Sequence, residues 1–344
     1  MLLLLLVSIF LLCLYRIDCR LVGINEDYLC KDKTNSIKGI FIFMIVITHA
    51  LPYIEHTSYG FDAVGDGVLM WFVRHLDQLI VVMFLFYSGF GIGESYKRKG
   101  QNYLNGFPRK RILSTLLNFD VAVIAFLLLA LFLGTPITIK QVLFSFVGWE
   151  SLGNSNWYIF VILLCYLFSY VSLRLPIEKV WIKALLLFVF CLLVIFWLSH
   201  EKGKWWYNTI MSYPMGFLYS SYKEPIERFL KKYYWLSCFV LLLLFVALFR
   251  RSVDRFCLSY NALSMVFALL AVSLTMKVSI NNPPLRWAGE HLFPIYIYMR
   301  IPMIILEHKQ PVLIANQPAL FIIICLVVTM VIAQLYKHWQ IKID

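Results

Sequence analysis

The sequence predicts an all-α fold, a polytopic bundle of membrane-spanning helices, and three observations carry that expectation. Apolar residues make up 61% of the 344 and charged residues only 15%, against about half and about a quarter in a soluble domain. Mean hydropathy is +0.77, so lipid must be the solvent for much of the surface. The apolar residues also fall in runs of spanning length, with basic clusters between them. Fibrous, disordered and disulfide-scaffold classes are excluded. The eight cysteines are scattered without a CxxC pair and read as small buried hydrophobes, not as metal or redox ligands.

A span needs about 20 mostly apolar residues. Ten core spans are placed near 36–54, 67–93, 112–133, 157–173, 181–199, 207–221, 233–249, 258–276, 289–306 and 319–336. The run at 207–221 is the weakest. Its Pro214 and Gly216 suit a broken helix inside a bundle, where neighbours re-satisfy the backbone. An eleventh apolar run, Met1 to about Tyr15, is followed by Arg16 and Arg20 instead of preceded by them, the reverse of a secretory signal. It reads as an extra, retained N-terminal helix with its start outside. Residues 1–30 then form an N-terminal apolar helix and linker, and 31–344 one transmembrane domain.

Charge placement tests this layout. If the segment before the first core span is cytoplasmic, inside loops hold 20 basic residues and outside loops 7. The asymmetry follows the positive-inside rule and accounts for the formal charge of +12 without a nucleic-acid partner. The lipid bilayer is the expected partner, and the inner (plasma) membrane the expected location.

An ionisable side chain within a span is costly and points to function. Four places carry such groups. The first runs from Lys38 to His49. Eleven helical residues turn through about 1100°, so both side chains share one face, about 16 Å apart along the axis. Lys38 reaches the cytoplasmic interface, while His49 lies deep, where a neutral imidazole can take a proton from a hydroxyl. The second follows the next span: Ser88, Gly89, Gly91 and Gly93 permit close helix approach. They lead to Lys97–Lys99 and Arg109–Arg111, which either anchor the chain or grip a phosphate. The third is an outer loop with Glu55, His56, Asp62 and Asp66, followed by Arg74, His75 and Asp77. One of these carboxylates is a candidate to orient His49, and Arg74 with Asp77 a candidate ion pair. The histidines match no standard metal spacing, so no metal is expected. The fourth is Glu290, His291 and Arg300 in the ninth span, where the deeper Arg300 needs a partner or water. Asn154, Asn156 and Trp157 make a polar–aromatic mark that reads as an interface anchor.

Two function classes remain open on these residues. One is a membrane transferase with a base in the bundle and a basic patch at the cytoplasmic mouth. The other is a proton-coupled or solute transporter, which favours related halves or paired broken helices. No internal repeat is visible, and this tips the reading toward an enzyme.

The chain resembles the acyltransferase-3 family of integral membrane O-acyltransferases over roughly residues 35–336. Four marks carry the resemblance in order. They are Lys38, ten positions, then His49, opened by Asn35, Ser36 and Ile37; the segment Phe84 to Phe90 with Ser88 and Gly89; the basic cluster Phe107 to Arg111; and the late segment Gly289 to Met299. Lys38 stands where the family usually has Arg. Arg109 and Arg111 are two apart instead of three, and Leu292 and Met299 replace a Ser and a His of the late motif. The resemblance implies ten core spans and transfer of an acyl group, acetyl first, from cytoplasmic acyl-CoA to a carbohydrate hydroxyl of a glycan or lipid-linked sugar. It implies His49 as the catalytic residue. Asp66, with Asp62 and Glu55 as alternatives, is then expected to orient it, and Glu290, with His291 and Arg300 as alternatives, to take up a role lost from the late motif. Lys38, Arg109 and Arg111 are expected to hold the donor's phosphates. Acyl-CoA is a co-substrate in this reading, with no permanently bound cofactor.

Overall fold

Eight helices among the described residues are long and apolar enough to cross a membrane. They are Lys31–Glu55, Gly65–Lys99, Pro108–Leu133, Trp157–Arg174, Val180–Glu201, Lys223–Arg251, Leu258–Thr275 and Pro318–His338. The computed structural model describes residues 2–61, 64–76, 78–252 and 257–343, so Asp62 and Asp77 lie outside it. In chain order the elements are α1 (Leu2–Leu14), strand β1 (Ile17–Cys19), α2 (Lys31–Glu55), α3 (Val64–Leu76), α4 (Leu79–Lys99), α5 (Gln101–Asn105) and a π-helical turn (Pro108–Leu113). Then come α6 (Ser114–Leu133), α7 (Ile139–Ser145), α8 (Trp157–Arg174), α9 (Val180–Glu201), α10 (Ser212–Ser221), α11 (Lys223–Ser252), α12 (Cys257–Thr275) and strand β2 (Val278–Ile280). The chain closes with α13 (Pro283–Glu290), α14 (Leu292–Tyr298), α15 (Arg300–Lys309), α16 (Pro311–Asn316) and α17 (Pro318–Leu335).

The chain is thus a polytopic α-helical membrane bundle. The two remaining apolar runs are made of shorter helices, and proline explains where they break. A proline lacks the N–H and its ring collides with the carbonyl four residues back. Pro294 sets that conflict at Glu290 and Pro302 sets it at Tyr298, and the helices end at those two residues. His291, between α13 and α14, is out of helical conformation (φ −97°, ψ 20°). Likewise α10 is only ten residues long, with Pro214 in its first turn.

Two helix crossings tie the bundle together, and both are backbone on backbone. A Cβ on Gly89 of α4 would lie 2.0 Å from the carbonyl oxygen of Tyr213, and one on Gly216 of α10 would lie 2.0 Å from that of Phe86. The α2–α13 crossing repeats the pattern: Gly39 meets the oxygen of Leu285 at 1.9 Å and Gly289 that of Asn35 at 1.9 Å. Such mutual small-residue contacts are how helices associate where no hydrophobic force separates helix from lipid.

The charged ends form two contact sets at opposite ends of the bundle. At one, Lys97 bonds the Ser220 carbonyl and Glu94, Arg286 pairs with Asp32 at 3.1 Å, and Tyr28 bonds Tyr219 and Glu227. At the other, Lys202 reaches Trp149 and Glu150, and His56 pairs with Glu307 at 3.1 Å. The first set carries the basic clusters and is the cytoplasmic end by the positive-inside rule.

The N-terminal segment is tied to that end. β1 pairs antiparallel with β2, Ile17 opposite Ile280. Asn282 donates to the carbonyls of Leu12 and Tyr15 and also caps α13 by accepting from Leu285 N–H. Loss of a side-chain cap costs about 0.5–2 kcal/mol. Asn282→Ala is therefore expected to loosen residues 15–25 and speed limited proteolysis there, with the transmembrane core intact. Unchanged cleavage kinetics would show that the strand pair alone holds the segment.

Candidate functional site

His49 stands on α2 and faces α15. Its Nδ1 accepts from two donors of one guanidinium, Arg300 Nη2 at 2.9 Å and Nε at 3.2 Å. Arg300 is the first residue of α15, placed there by the break that Pro302 imposes. This answers the sequence's question of what partners a deep arginine. Arginine has only donors, so Nδ1 must hold the lone pair and Nε2 the proton. The ring proton thus stays on Nε2 as long as Arg300 stays in place.

A third bond runs from Arg300 Nη1 to the carbonyl of Gly153 at 3.5 Å. Gly153 belongs to a loop that enters the bundle from the outer end, with Asn154 and Ser155 2% and 4% exposed. Gly153 takes φ +104°, a conformation glycine adopts without cost. A Cβ there would also press on Ile304 at 2.8 Å. Asn156 pins the loop through the carbonyls of Gly148 and Glu150, and Asn154 accepts from Leu152 N–H and Ser151. The polar–aromatic mark read as an interface anchor is therefore a buried loop beside the imidazole, and Trp157 is buried too. The Asn154 amide nitrogen and the Ser155 hydroxyl have no partner, so the loop holds spare hydrogen-bonding groups.

Hydroxyl groups connect this centre with the cytoplasmic end. Arg300 interacts electrostatically with Tyr296, whose ring packs on Tyr158 at 5.5 Å. Tyr158 and Tyr166 each interact with Ser88, and Tyr166 also interacts with Arg111. Tyr158 and Tyr296 are buried. Arg111 sits on the π-helical turn with Arg109, a local widening that re-aims side chains and recurs at functional sites. Arg109 and Arg111 remain exposed, while Arg111 also interacts with Tyr103 and Tyr213.

The other candidate residues lie elsewhere. Asp66 is buried, and its Oδ2 accepts from Tyr59 at 2.6 Å; the partner that fixes the His49 ring is Arg300. Glu290 is exposed at the cytoplasmic end, where it interacts with Lys38 across the α2–α13 crossing. Glu290 and His291 line a cavity of about 350 Å³ with Ser114, Asn118 and Lys337, and His291 stacks on Trp287 at 4.4 Å. His75 is stacked between Trp71 and Phe249. Among the described residues no three His, Cys, Asp or Glu side chains gather as a metal set. The pairing of Arg300 with His49, the Gly153 loop and the tyrosine file were not foreseen in the sequence. Only Arg300, a charge set deep in an apolar span, gave a signal.

A family model described as an acyltransferase domain, that of the acyltransferase-3 family, matches residues 33–338. Searches of curated proteins and of solved structures returned no match. The match covers every transmembrane element from α2 to α17, the His49–Arg300 pair and the basic cluster, and the chain belongs to the acyltransferase-3 family as a multi-pass membrane acyltransferase.

Proposed function

We propose that this enzyme moves an acyl group, acetyl first, from acyl-CoA at the cytoplasmic face of the inner membrane to a hydroxyl of a cell-surface or exported carbohydrate. The observation that carries the reading is the His49–Arg300 pair at the end of a file of hydroxyl groups that starts at Arg111. Family membership decides against the transporter alternative and implies an acyl donor.

In this reading Arg109, Arg111 and Lys38 hold the donor's phosphates, with Glu290 holding Lys38 at the mouth. The pantetheine arm follows Tyr166, Ser88, Tyr158 and Tyr296 inward, a path comparable with the axial rise of about 16 Å from Lys38 to His49. The tautomer then sets the order of events. Nε2 already carries a proton, so the basic nitrogen is Nδ1, and it is free only when Arg300 lets go. The thioester carbonyl supplies the reason for release. As the hydroxyl oxygen attacks, the carbonyl oxygen becomes an oxyanion and draws the guanidinium, a stronger acceptor than a neutral imidazole. Nδ1 takes the hydroxyl proton, the tetrahedral intermediate expels the CoA thiolate, and the imidazolium returns the proton to sulfur. Asp66 braces the outer loop through Tyr59 and takes no part in proton transfer.

The direct test is CoA release from acetyl-CoA by the purified protein in nanodiscs. No turnover by the wild type with any envelope carbohydrate fraction would remove the reading. Arg111→Ala is expected to raise the donor KM roughly tenfold to a hundredfold, the loss of a charge-assisted hydrogen bond, with a smaller change in kcat. An unchanged KM would place the phosphates elsewhere.

A further inference from the structure

The outer end holds a second cavity that the mechanism above leaves unused. It has a volume of about 550 Å³ and lies between α2, α15, the end of α6 and the Gly153 loop, a size usual for small-ligand pockets. Its walls stand directly over the His49–Arg300 pair. Tyr53 is four residues after His49 on α2, and Ile304 four after Arg300 on α15, about one turn, or about 6 Å, along each helix. Gly153 belongs to both places: it lines the cavity, and its carbonyl receives Arg300. The Tyr53 hydroxyl interacts electrostatically with Arg300 below and with Glu307 above. Glu307 is in turn fixed by His56 at 3.1 Å.

We propose that this cavity is the acceptor port: a neutral, hydroxyl-rich molecule enters it from the outer face and presents one hydroxyl past Gly153 to His49. The inference rests on the acyl-transfer reading and adds to it the side of entry, the pocket and its selecting residues. The lining chemistry sets the ligand class. Tyr53 offers an aromatic face, and Glu307, Ser151, Thr135 and Gln141 offer hydrogen-bonding groups. The wall carries Glu307 and His308 but no Lys or Arg, so an anionic acceptor would meet a carboxylate with no permanently charged side chain in the wall to offset it. A polyol fits, with its hydroxyls donating to the carboxylate. Donor and acceptor then approach the imidazole from opposite faces, so the enzyme never has to admit both through one mouth.

The test uses the protein's own host with its gene deleted and restored as wild type, Thr135→Trp or Glu307→Gln, so that the native acceptor is present. Thr135 is exposed at the rim, and a tryptophan there fills the mouth without removing a buried contact. Alkali-labile acyl esters are measured on the envelope carbohydrate. Acetyl-CoA hydrolysis to water is measured on the same purified variants. The proposal expects ester content to fall at least tenfold in Thr135→Trp and several-fold in Glu307→Gln, with wild-type donor KM and hydrolysis rate in both. Wild-type ester levels in Thr135→Trp overturn it, as does a parallel loss of donor hydrolysis in both variants. If restoring the wild type adds no ester, the acyl-transfer reading itself fails, an outcome distinct from failure of the port.

Discussion

His49→Ala is expected to lower kcat for acyl transfer about 10²–10⁴-fold, the usual contribution of a positioned proton-transfer group, while the donor KM stays near its wild-type value. In the proposed mechanism Arg111 holds the donor's charged end and the imidazole meets only the reacting atoms, so the loss is expected on the chemical step. Arg300→Ala is expected to lose about 10²–10³-fold, as when one oxyanion donor is removed. The guanidinium bonds His49 at rest and, in the proposed mechanism, turns to the oxyanion in the transition state, so the two residues are expected to act as a unit. Their double variant is expected to be little worse than His49→Ala alone, because effects within a unit do not add. Arg300→Lys separates the roles: it keeps the charge but offers a point donor in place of a fork, and partial activity is expected. Strictly additive losses, or a raised donor KM in Arg300→Ala with kcat unchanged, would place Arg300 outside the chemistry and the imidazole under some other group's control.

The contrast between Arg300 and Asp66 shows what the sequence could carry. The apolar runs, the sidedness and the depth of His49 follow from composition and helical rise, properties of one segment at a time. Which residue meets His49 is a property of two helices 251 residues apart in the chain. Charge chemistry alone made a nearby carboxylate the natural partner. Asp66, in the first turn of α3, instead serves Tyr59, and a cation approaches the ring. The breaks in the late span were written in the sequence at Pro294 and Pro302, but the long apolar run masked them. They matter because they make Arg300 the first residue of its helix. Asn154 and Asn156 looked like the polar border of a span because nothing local distinguishes a loop outside the bundle from one folded into it. Where segment-by-segment reasoning failed, the backbone departs from regular helix, and those departures lie beside the imidazole, where such conflicts are expected to concentrate.

Gly216→Leu is expected to be the most damaging substitution away from the polar centre. The Cβ would lie 2.0 Å from the Phe86 carbonyl oxygen and 3.0 Å from the Phe90 nitrogen. Both are backbone atoms, which no side-chain rotation can move aside. α10 and α4 must therefore separate. The Tyr213 hydroxyl, bonded to Ser169 at 2.8 Å, and the Ser220 hydroxyl, bonded to Glu94 at 2.8 Å, would lose their register. Overpacking costs typically about 1–3 kcal/mol, and more where relaxation is blocked, so the expected result is loss of a monodisperse, heat-resistant species in detergent. A matched control sits on α4 itself. Gly89 and Gly91 belong to the same small-residue stretch, yet nothing lies within 4 Å of a Cβ on Gly91. Gly91→Ala is expected to be neutral or to raise Tm slightly, since Gly within a helix costs about 0.5–1 kcal/mol relative to Ala. Gly89→Ala, aimed at the Tyr213 carbonyl 2.0 Å away, is expected to lower Tm by several degrees. Thermal unfolding followed by size-exclusion fluorescence ranks the three. Equal tolerance of alanine at both positions of α4 would mean that the helices do not cross backbone to backbone at Gly89.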